Sequence, residues 1–151
     1  MLLRNFMRGL PAFKDLTDRD VETLAMAMRV DSYPDGHVFV YQDKIGKDVY
    51  LIIEGEVLAS RYGGSGRRID LKMLKSGELF GLLSLSDSKP AAATCSAVGP
   101  VKAASLPFAA YRLLLQSSAP IAHHFQFAVA EQLARDLRDR NRALREQLRR
   151  S

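Results

Sequence analysis

Residues 49–57 read VYLIIEGEV and residues 76–81 read SGELFG, and these two stretches decide the fold. The apolar and β-branched residues before Gly55 favour a strand, and glycine is suited to the turn that ends it. Other short runs have the same period of two, so we predict strands at 28–33, 37–41, 48–54, 56–61, 67–74, 92–97 and 101–106. Short strands separated by turn residues such as Gly99 indicate a sandwich or roll.

Helical patterns lie on both sides of the predicted strands. Thr17 begins one of them as an N-cap, with the acidic residue Asp20 at the third helical position. After the strands, residues 108–116 read as a helix that ends before Pro120. Residues 77–90 break the alternation, and we expect an insertion there with a short apolar turn of helix and a polar loop.

A last helix is predicted over residues 121–149. Its 29 residues would extend about 43 Å at 1.5 Å per residue. A helix of that length is not covered by a domain this small, so part of it must project or meet a partner. We therefore divide the chain into residues 1–120, the predicted roll with its N-terminal helices, and residues 121–151, the C-terminal helix.

The end of this helix carries a heptad pattern. Its a positions are Phe127, Ala134, Asn141 and Leu148, and its d positions are Ala130, Leu137 and Leu144. The seam predicts a two-stranded coiled coil, and a lone Asn141 at position a favours a parallel, in-register homodimer. Arg140 would then face Arg145 of a second copy, which has a small cost. The alternative is a monomeric helix folded back on the roll.

Composition narrows the functional classes. The 151 residues carry a net charge of +5, and residues 131–151 hold seven basic and four acidic side chains. Such a basic tail is usually a solvated helix face, so nucleic-acid binding is not expected. No apolar run approaches the roughly 18 residues of a membrane span, and Arg4 and Arg8 interrupt the N-terminus, which does not read as a secretory signal. We expect a cytoplasmic protein without membrane contact.

Few side chains of the sequence suggest metal or catalytic chemistry. The single cysteine, Cys95, excludes an internal disulfide and is expected to be a buried thiol. A metal-dependent cupin-type enzyme, the runner-up fold, would need several histidines on inner strands, and only His37 lies among the predicted strands. His123 and His124 are neighbours on a helix and point to different faces. No nucleophile or acid pair is recognisable, so we expect no enzyme activity, metal or cofactor.

Four stretches together carry a family resemblance. LPAF at 10–13, YPDG at 33–36, VYLIIEGEV at 49–57 and GELFG at 77–81 follow the order and spacing of the cyclic nucleotide-binding domain family. The chain resembles this family over essentially its whole length. The resemblance implies a mainly β fold with α elements, a double-stranded β-helix or jelly-roll-like β-roll flanked by N-terminal helices and a long C-terminal helix. In the similar bacterial cyclic-AMP receptor proteins, that helix forms the dimer.

The phosphate cassette departs from the family pattern. In the family it reads approximately FGE-L-A-L, a loop, then PR and a small residue before AT, whereas residues 80–94 here read FGLLSLSDSKPAAAT. The resemblance places Leu82 where a glutamate accepts from the ribose hydroxyl, and Ala91 where an arginine grips the phosphate. Losing a bidentate arginine removes about 3 to 6 kcal/mol of charge-assisted hydrogen bonding. Ordinary cyclic AMP binding is therefore not expected.

The resemblance also defines a candidate ligand pocket. Its residues are Phe80, Gly81, Leu82, Leu83, Ser84, Lys89, Ala91 and Ala92, together with Arg140 and Asn141 of the long helix. Lys89 could supply a point charge to an anion, and Ser84 a hydroxyl. Arg140 and Asn141 occupy the positions from which the receptor proteins reach the purine base.

These observations lead to one expectation with two alternatives. We expect a non-catalytic, homodimeric regulatory or sensor module, unable to bind cyclic AMP in the usual way. A ligand-free dimerisation or protein-interaction scaffold is the first alternative, and a weak or non-standard cyclic nucleotide binder is the second. The receptor proteins continue into a DNA-binding helix-turn-helix after the long helix, whereas this sequence stops at Ser151. We therefore expect either a naturally short protein or the sensory part of a longer one.

Overall fold

The structure is a computed structural model that describes residues 2–82 and 90–150; side chains are described except at 132–133, 136, 139–140, 143 and 150. Helix α1 spans Leu3–Arg8, a 3₁₀ turn spans Pro11–Phe13, and helix α2 spans Asp18–Ala27. Thr17 Oγ1 accepts a hydrogen bond from the Asp20 amide at 3.2 Å. The predicted N-cap is confirmed, because this bond satisfies one of the free amides of the first turn.

The described strands form one antiparallel sheet. They are β1 (Arg29–Tyr33), β2 (Val38–Val40), β3 (Asp48–Tyr62), β4 (Arg68–Leu74), β5 (Leu79–Phe80) and β6 (Thr94–Pro107). Strands β3 and β6 pair along most of their lengths, and β1 and β4 lie outside them in the order β1-β6-β3-β4. Strand β2 also pairs with β6, and β5 with β3. The two long strands thus form the frame of the roll.

In the structure, each of two pairs of predicted strands is joined into one continuous strand. Residues 48–54 and 56–61 form the single strand β3, and residues 92–97 and 101–106 fall largely within β6. Gly55 has φ = 97°, and the pairing register shifts around it. A Cβ there would lie 2.5 Å from the Pro100 carbonyl oxygen. Gly55 is therefore the site of a bulge at a close backbone approach, and the prediction of a turn there was wrong.

Two helices follow the sheet. Helix α3 spans Phe108–Ser117, with Pro107 as its N-cap, and helix α4 spans Ala119–Arg150. Helix α4 begins two residues before the predicted start at Ile121, because Pro120 is accommodated in its first turn, where no intrahelical amide is needed.

The buried side chains form two clusters. The helix-side cluster contains Met7, Phe13, Val21, Leu24, Val49, Leu51, Ile53, Leu82, Ala104, Leu106, Tyr111, Leu114, Ile121, Phe125 and Val129. The roll cluster contains Val40, Ile52, Val57, Leu74, Phe80, Ala91, Cys95, Ala97, Val101 and Ala103. Successive residues of β3, such as Leu51 and Ile52, enter different clusters because side chains alternate across a strand.

Candidate functional site

The start of the cassette is fixed by β5. Phe80 pairs with Tyr50 of β3, and their rings stack with centroids 5.1 Å apart and planes 16° apart. Gly81 follows with φ = 85°, and a Cβ on it would lie 2.8 Å from the Asp48 carbonyl oxygen. Only glycine fits this position without backbone movement. The start of the cassette therefore packs closely against the backbone of Asp48, the first residue of β3.

The two positions that distinguish this cassette are both buried and apolar. Leu82 is 2% exposed and lies in the helix-side cluster, whereas Ala91 is 8% exposed and lies in the roll cluster with Phe80. The structure thus brings Ala91 and Phe80 together and directs Leu82 to the other cluster. Neither position offers a charge or a hydrogen-bonding side chain to an anion.

The end of the cassette is held by the loop between β2 and β3, residues 41–47. The Ala91 amide donates to the Lys44 carbonyl at 2.8 Å, and the Asp43 amide donates to the Ala91 carbonyl at 2.9 Å. The Gln42 amide donates to Thr94 Oγ1 at 2.9 Å. Both backbone groups of Ala91 are therefore engaged within the protein. Sequence reasoning missed this loop, since no local pattern signals hydrogen bonds to a segment about 50 residues away.

Gln42 also ties the loop to the β3–β4 hairpin. Its side-chain Nε2 donates to the Tyr62 carbonyl at 3.1 Å, and its Oε1 accepts from the Tyr62 amide at 2.7 Å. The primary amide thus pairs with the strand backbone as another strand would. Loop, hairpin and cassette end form one hydrogen-bonded unit.

The remaining predicted pocket residues are distributed as follows. Leu83, Ser84 and Lys89 lie outside the described residues, and so does the side chain of Arg140. Ala92 is partly buried and Asn141 is exposed. The insertion predicted within residues 77–90 contains β5, which the sequence pattern did not indicate; its residues 83–89 lie outside the described part of the chain.

Burial determines the titration of several side chains near the cassette. It raises the pKa of Tyr50 to about 12, with the Asp48 charge adding to the effect, and it raises the pKa of Asp48 while nearby Lys47 lowers it. Burial also raises the pKa of the Cys95 thiol to about 12. Cys95 is buried and free, as predicted. A thiol with so high a pKa is a poor nucleophile, because little thiolate is present at neutral pH.

The predicted coiled-coil seam lies on the surface of the chain. Its residues Phe127, Ala130, Ala134, Leu137, Asn141, Leu144 and Leu148 are all exposed. The large side chains Phe127, Leu137 and Leu144 are 65%, 60% and 56% exposed. Such a row of apolar side chains on a helix otherwise rich in charge is typical of an association surface.

Neither a metal-binding cluster nor a membrane-spanning helix is found among the described residues. No group of three histidine, cysteine, aspartate or glutamate side chains lies close enough together there to hold a metal ion. None of the described helices combines the length and apolar character required to cross a membrane.

Comparison with known sequences identifies the family. The sequence model of the cyclic nucleotide-binding domain matches residues 30–118, which is more than half of the chain. The chain belongs to the cyclic nucleotide-binding domain family. The matched residues run from β1 to the end of α3, so the cyclic nucleotide-binding domain includes the cassette and the 41–47 loop described above.

Individual relatives of this cyclic nucleotide-binding domain are regulatory proteins. The chain is 32% identical over 133 residues to the cyclic AMP receptor protein of Thermus thermophilus, covering 88% of this chain and 60% of that protein. It is 31% identical over 128 residues to a cAMP-dependent protein kinase regulatory subunit of Pyricularia oryzae, covering 83% of this chain and 32% of that protein. The chain thus spans less than two thirds of the length of these relatives.

A solved structure confirms the predicted β-roll. The crystal structure of Thermus thermophilus catabolite activator protein matches the domain with a TM-score of 0.76 at 30% identity, covering 91% of this chain and 62% of that one. The similarity includes the antiparallel sheet and its flanking helices. The domain therefore has the fold of these relatives.

Proposed function

We propose that this chain is a non-catalytic, cytoplasmic regulatory module whose nucleotide pocket no longer binds cyclic AMP in the usual way. The burial of two apolar side chains, Leu82 and Ala91, at the two cassette positions carries the proposal. A family cassette binds its ligand through a glutamate and an arginine at these positions. In this chain, neither Leu82 nor Ala91 can accept a hydrogen bond from a ribose hydroxyl or pair with a phosphate.

The expected loss of affinity is large. A bidentate arginine contributes about 3 to 6 kcal/mol, and an acceptor for the ribose hydroxyl adds about 1 to 3 kcal/mol. At 1.4 kcal/mol per factor of ten, the affinity for cyclic AMP falls by roughly three orders of magnitude or more. The Ala91 amide also lowers the affinity for cyclic AMP, because its hydrogen bond to the Lys44 carbonyl would have to break before it could donate to a phosphate.

We propose further that the module acts as a homodimer through α4. The exposed seam residues Phe127, Leu137 and Leu144 support this assembly. In a parallel pair, Asn141 would meet its counterpart and select the in-register arrangement. A change in the roll could then be transmitted through Ile121 and Phe125, which lie in the helix-side cluster together with Leu82.

Isothermal titration calorimetry with cyclic AMP tests whether the pocket has lost nucleotide binding. We expect no detectable binding by the natural chain at about 1 mM cyclic AMP, and a Kd of about 0.1 mM or tighter when Leu82→Glu and Ala91→Arg are introduced together. Ala92→Arg is the matched control, because it adds the same charge one residue away. Tight binding by the natural chain contradicts the proposal. Equal gains from Ala91→Arg and Ala92→Arg contradict the role of position 91.

A ligand-free dimerisation or protein-interaction scaffold is a second candidate function. The exposed row of apolar residues on α4 favours it, because this surface does not depend on the cassette. Thermal unfolding with cyclic AMP, cyclic GMP and cyclic dinucleotides tests this second candidate. A ligand at a hundred times its Kd adds about 2.7 kcal/mol, which raises the Tm of a domain this size by several degrees. Unchanged Tm with every nucleotide supports the scaffold, and a rise with one contradicts it.

A further inference from the structure

A separate cleft lies beside the cassette. It has a volume of about 210 Å³ and is lined by residues 39–41 and 44–48 and by Tyr50. Phe39 and Tyr50 contribute rings in edge-to-face contact, with centroids 5.1 Å apart, and Tyr41 is exposed at the rim. The volume is below the roughly 300 to 1,000 Å³ typical of drug-sized ligands, so the cleft suits a molecule of metabolite size.

The cleft also contains charges of both signs. Lys44, Lys47 and Asp48 line it, and none of the three forms an ion pair within 4.0 Å with another described side chain. Asp48 is partly buried, which disfavours its ionised form, and Lys47 partly offsets that effect. By contrast, the cleft between α1 and α2 contains Arg8 and Asp18, which already pair at 3.0 Å. Of these two clefts, the one beside the cassette has charges of both signs outside the ion pairs of the described residues, whereas the other has Lys14 alone.

The combination of charges selects the ligand class. A purely anionic ligand would meet the carboxylate of Asp48, and a purely cationic one would meet the ammonium groups of Lys44 and Lys47. An α-amino acid carries its ammonium and its carboxylate on the same carbon atom, so each group can meet the opposite charge within the cleft, and an apolar or aromatic side group would lie against the rings of Phe39 and Tyr50. We propose that this cleft binds a small apolar or aromatic α-amino acid, with its carboxylate toward Lys44 and Lys47 and its ammonium toward Asp48.

The position of the cleft connects it to the cassette. Asp48 lies against Gly81 at the start of the cassette, and the loop residues Asp43 and Lys44 hold Ala91 at its end. An isolated bridge between Ile45 and Pro90 adds to this attachment. A ligand bound against residues 44–48 therefore rigidifies the loop that holds both ends of the cassette. The amino acid would act as an effector of the roll from outside the cassette.

Calorimetric titration of the full chain with three matched probes tests the site. L-phenylalanine is the zwitterion, N-acetyl-L-phenylalanine the anion and L-phenylalaninamide the cation. We expect L-phenylalanine to bind with a Kd of about 1 mM or tighter, and each capped compound at least about tenfold more weakly. Binding of a capped compound as tight as that of L-phenylalanine overturns the proposal. So does the absence of L-phenylalanine binding at about 10 mM, roughly ten times the expected Kd.

Substitutions in the cleft assign the contacts. Asp48→Asn keeps the shape of the side chain and is expected to weaken L-phenylalanine binding about tenfold or more, as is Lys44→Met combined with Lys47→Met. Glu56→Gln and Lys75→Met remove the same charges from exposed positions outside the cleft and are the matched controls. Losses of equal size in the controls overturn the assignment. Circular dichroism and thermal unfolding of each variant show whether a loss reflects unfolding.

Hydrogen exchange tests the connection to the cassette. Because the Ala91 amide donates to Lys44, we expect its exchange to slow when L-phenylalanine binds. Unchanged exchange at saturating ligand overturns the coupling. The site does not rest on the proposed function, because the cassette positions Leu82 and Ala91 do not line the cleft. Binding of L-phenylalanine and binding of cyclic AMP are measured in separate titrations of the natural chain, so either proposal can fail without the other.

Discussion

The two halves of α4 differ although they belong to one continuous helix. In residues 119–130, Ile121, Phe125 and Val129 recur every four residues and are buried in the helix-side cluster. In residues 131–150, every described side chain is exposed. The first half is thus a structural element of the roll, and the second half extends past it.

The difference shows how one helix can hold a fold and present a surface at the same time. The buried row has the i, i+4 spacing of a helix that packs on a core. The exposed apolar row instead follows the heptad from Phe127 to Leu144, on another face of the same helix. Stability of the roll should depend on the first row, and association on the second. Substitutions in one row at a time separate these two dependences.

Phe125→Ala is expected to give the largest effect. Phe125 is 1% exposed in the helix-side cluster and makes ring contacts with Tyr111 and His124. Truncating such a side chain leaves a cavity and removes about 3 to 5 kcal/mol from the free energy of unfolding. Urea denaturation followed by circular dichroism measures the loss.

Phe127→Ala is the matched control for that substitution. Phe127 has the same chemistry two residues further along the helix but is 65% exposed. At a protein concentration where the chain is monomeric, its truncation should change the free energy of unfolding by less than about 0.5 kcal/mol. Equal losses from the two truncations contradict the division of the helix into two rows.

Leu137→Asp combined with Leu144→Asp is expected to act on assembly and leave the fold intact. Both leucines are exposed at d positions, and a carboxylate at each would put like charges inside a paired seam. Analytical ultracentrifugation should report a dimer for the natural chain and a monomer for the double variant. Circular dichroism should report an unchanged roll.

Leu113→Asp provides the control for assembly. Leu113 lies on α3 and is 68% exposed, so it matches the seam leucines in type and exposure but not in position. The dimer mass should remain unchanged in this variant. A monomeric natural chain, or a dimer that survives both seam substitutions, contradicts the coiled coil.

The fold was predictable where the signals in the sequence are local. The cap at Thr17 depends on Asp20 three residues away, and the period of two located the strand segments. The division of β3 at Gly55 was wrong because a bulge and a turn both use a glycine with positive φ. What distinguishes them is the Pro100 carbonyl, which comes close only after β3 and β6 have paired.

The candidate site was predictable in composition but not in arrangement. Leu82 and Ala91 are visible as apolar residues in the sequence, and their burial agrees with that. Their separation into two clusters was not visible, because it depends on which face of the sheet each segment meets. Gln42 forms hydrogen bonds with Tyr62 and Thr94, which lie 20 and 52 residues further along the chain. No short-range sequence pattern signals hydrogen bonds over such separations.

The smallest expected effect concerns pH and the first half of α4. The His124 ring lies 5.3 Å from that of Phe13, and its buried Nε2 has no hydrogen-bond partner among the described residues. Burial lowers the pKa of His124 below its ordinary value of 6.5, and the charges of Asp15 and Glu131 only partly oppose this.

The lowered pKa of His124 predicts a loss of stability in acid. The unfolded chain binds a proton near pH 6.5, whereas the folded chain resists it until the pH falls through the lower pKa of the folded state. His124 therefore leaves the free energy of unfolding unchanged well above pH 6.5 and lowers it as the pH falls below that value. Because the ring is partly exposed, the free energy of unfolding should change by less than about 1.4 kcal/mol per pH unit.

Urea denaturation between about pH 7.5 and 5.5 should show a shallower pH dependence for His124→Phe than for the natural chain. His123→Phe, a change at the exposed neighbour, should match the natural chain, and a curve for His124→Phe that parallels it would remove His124 as the cause.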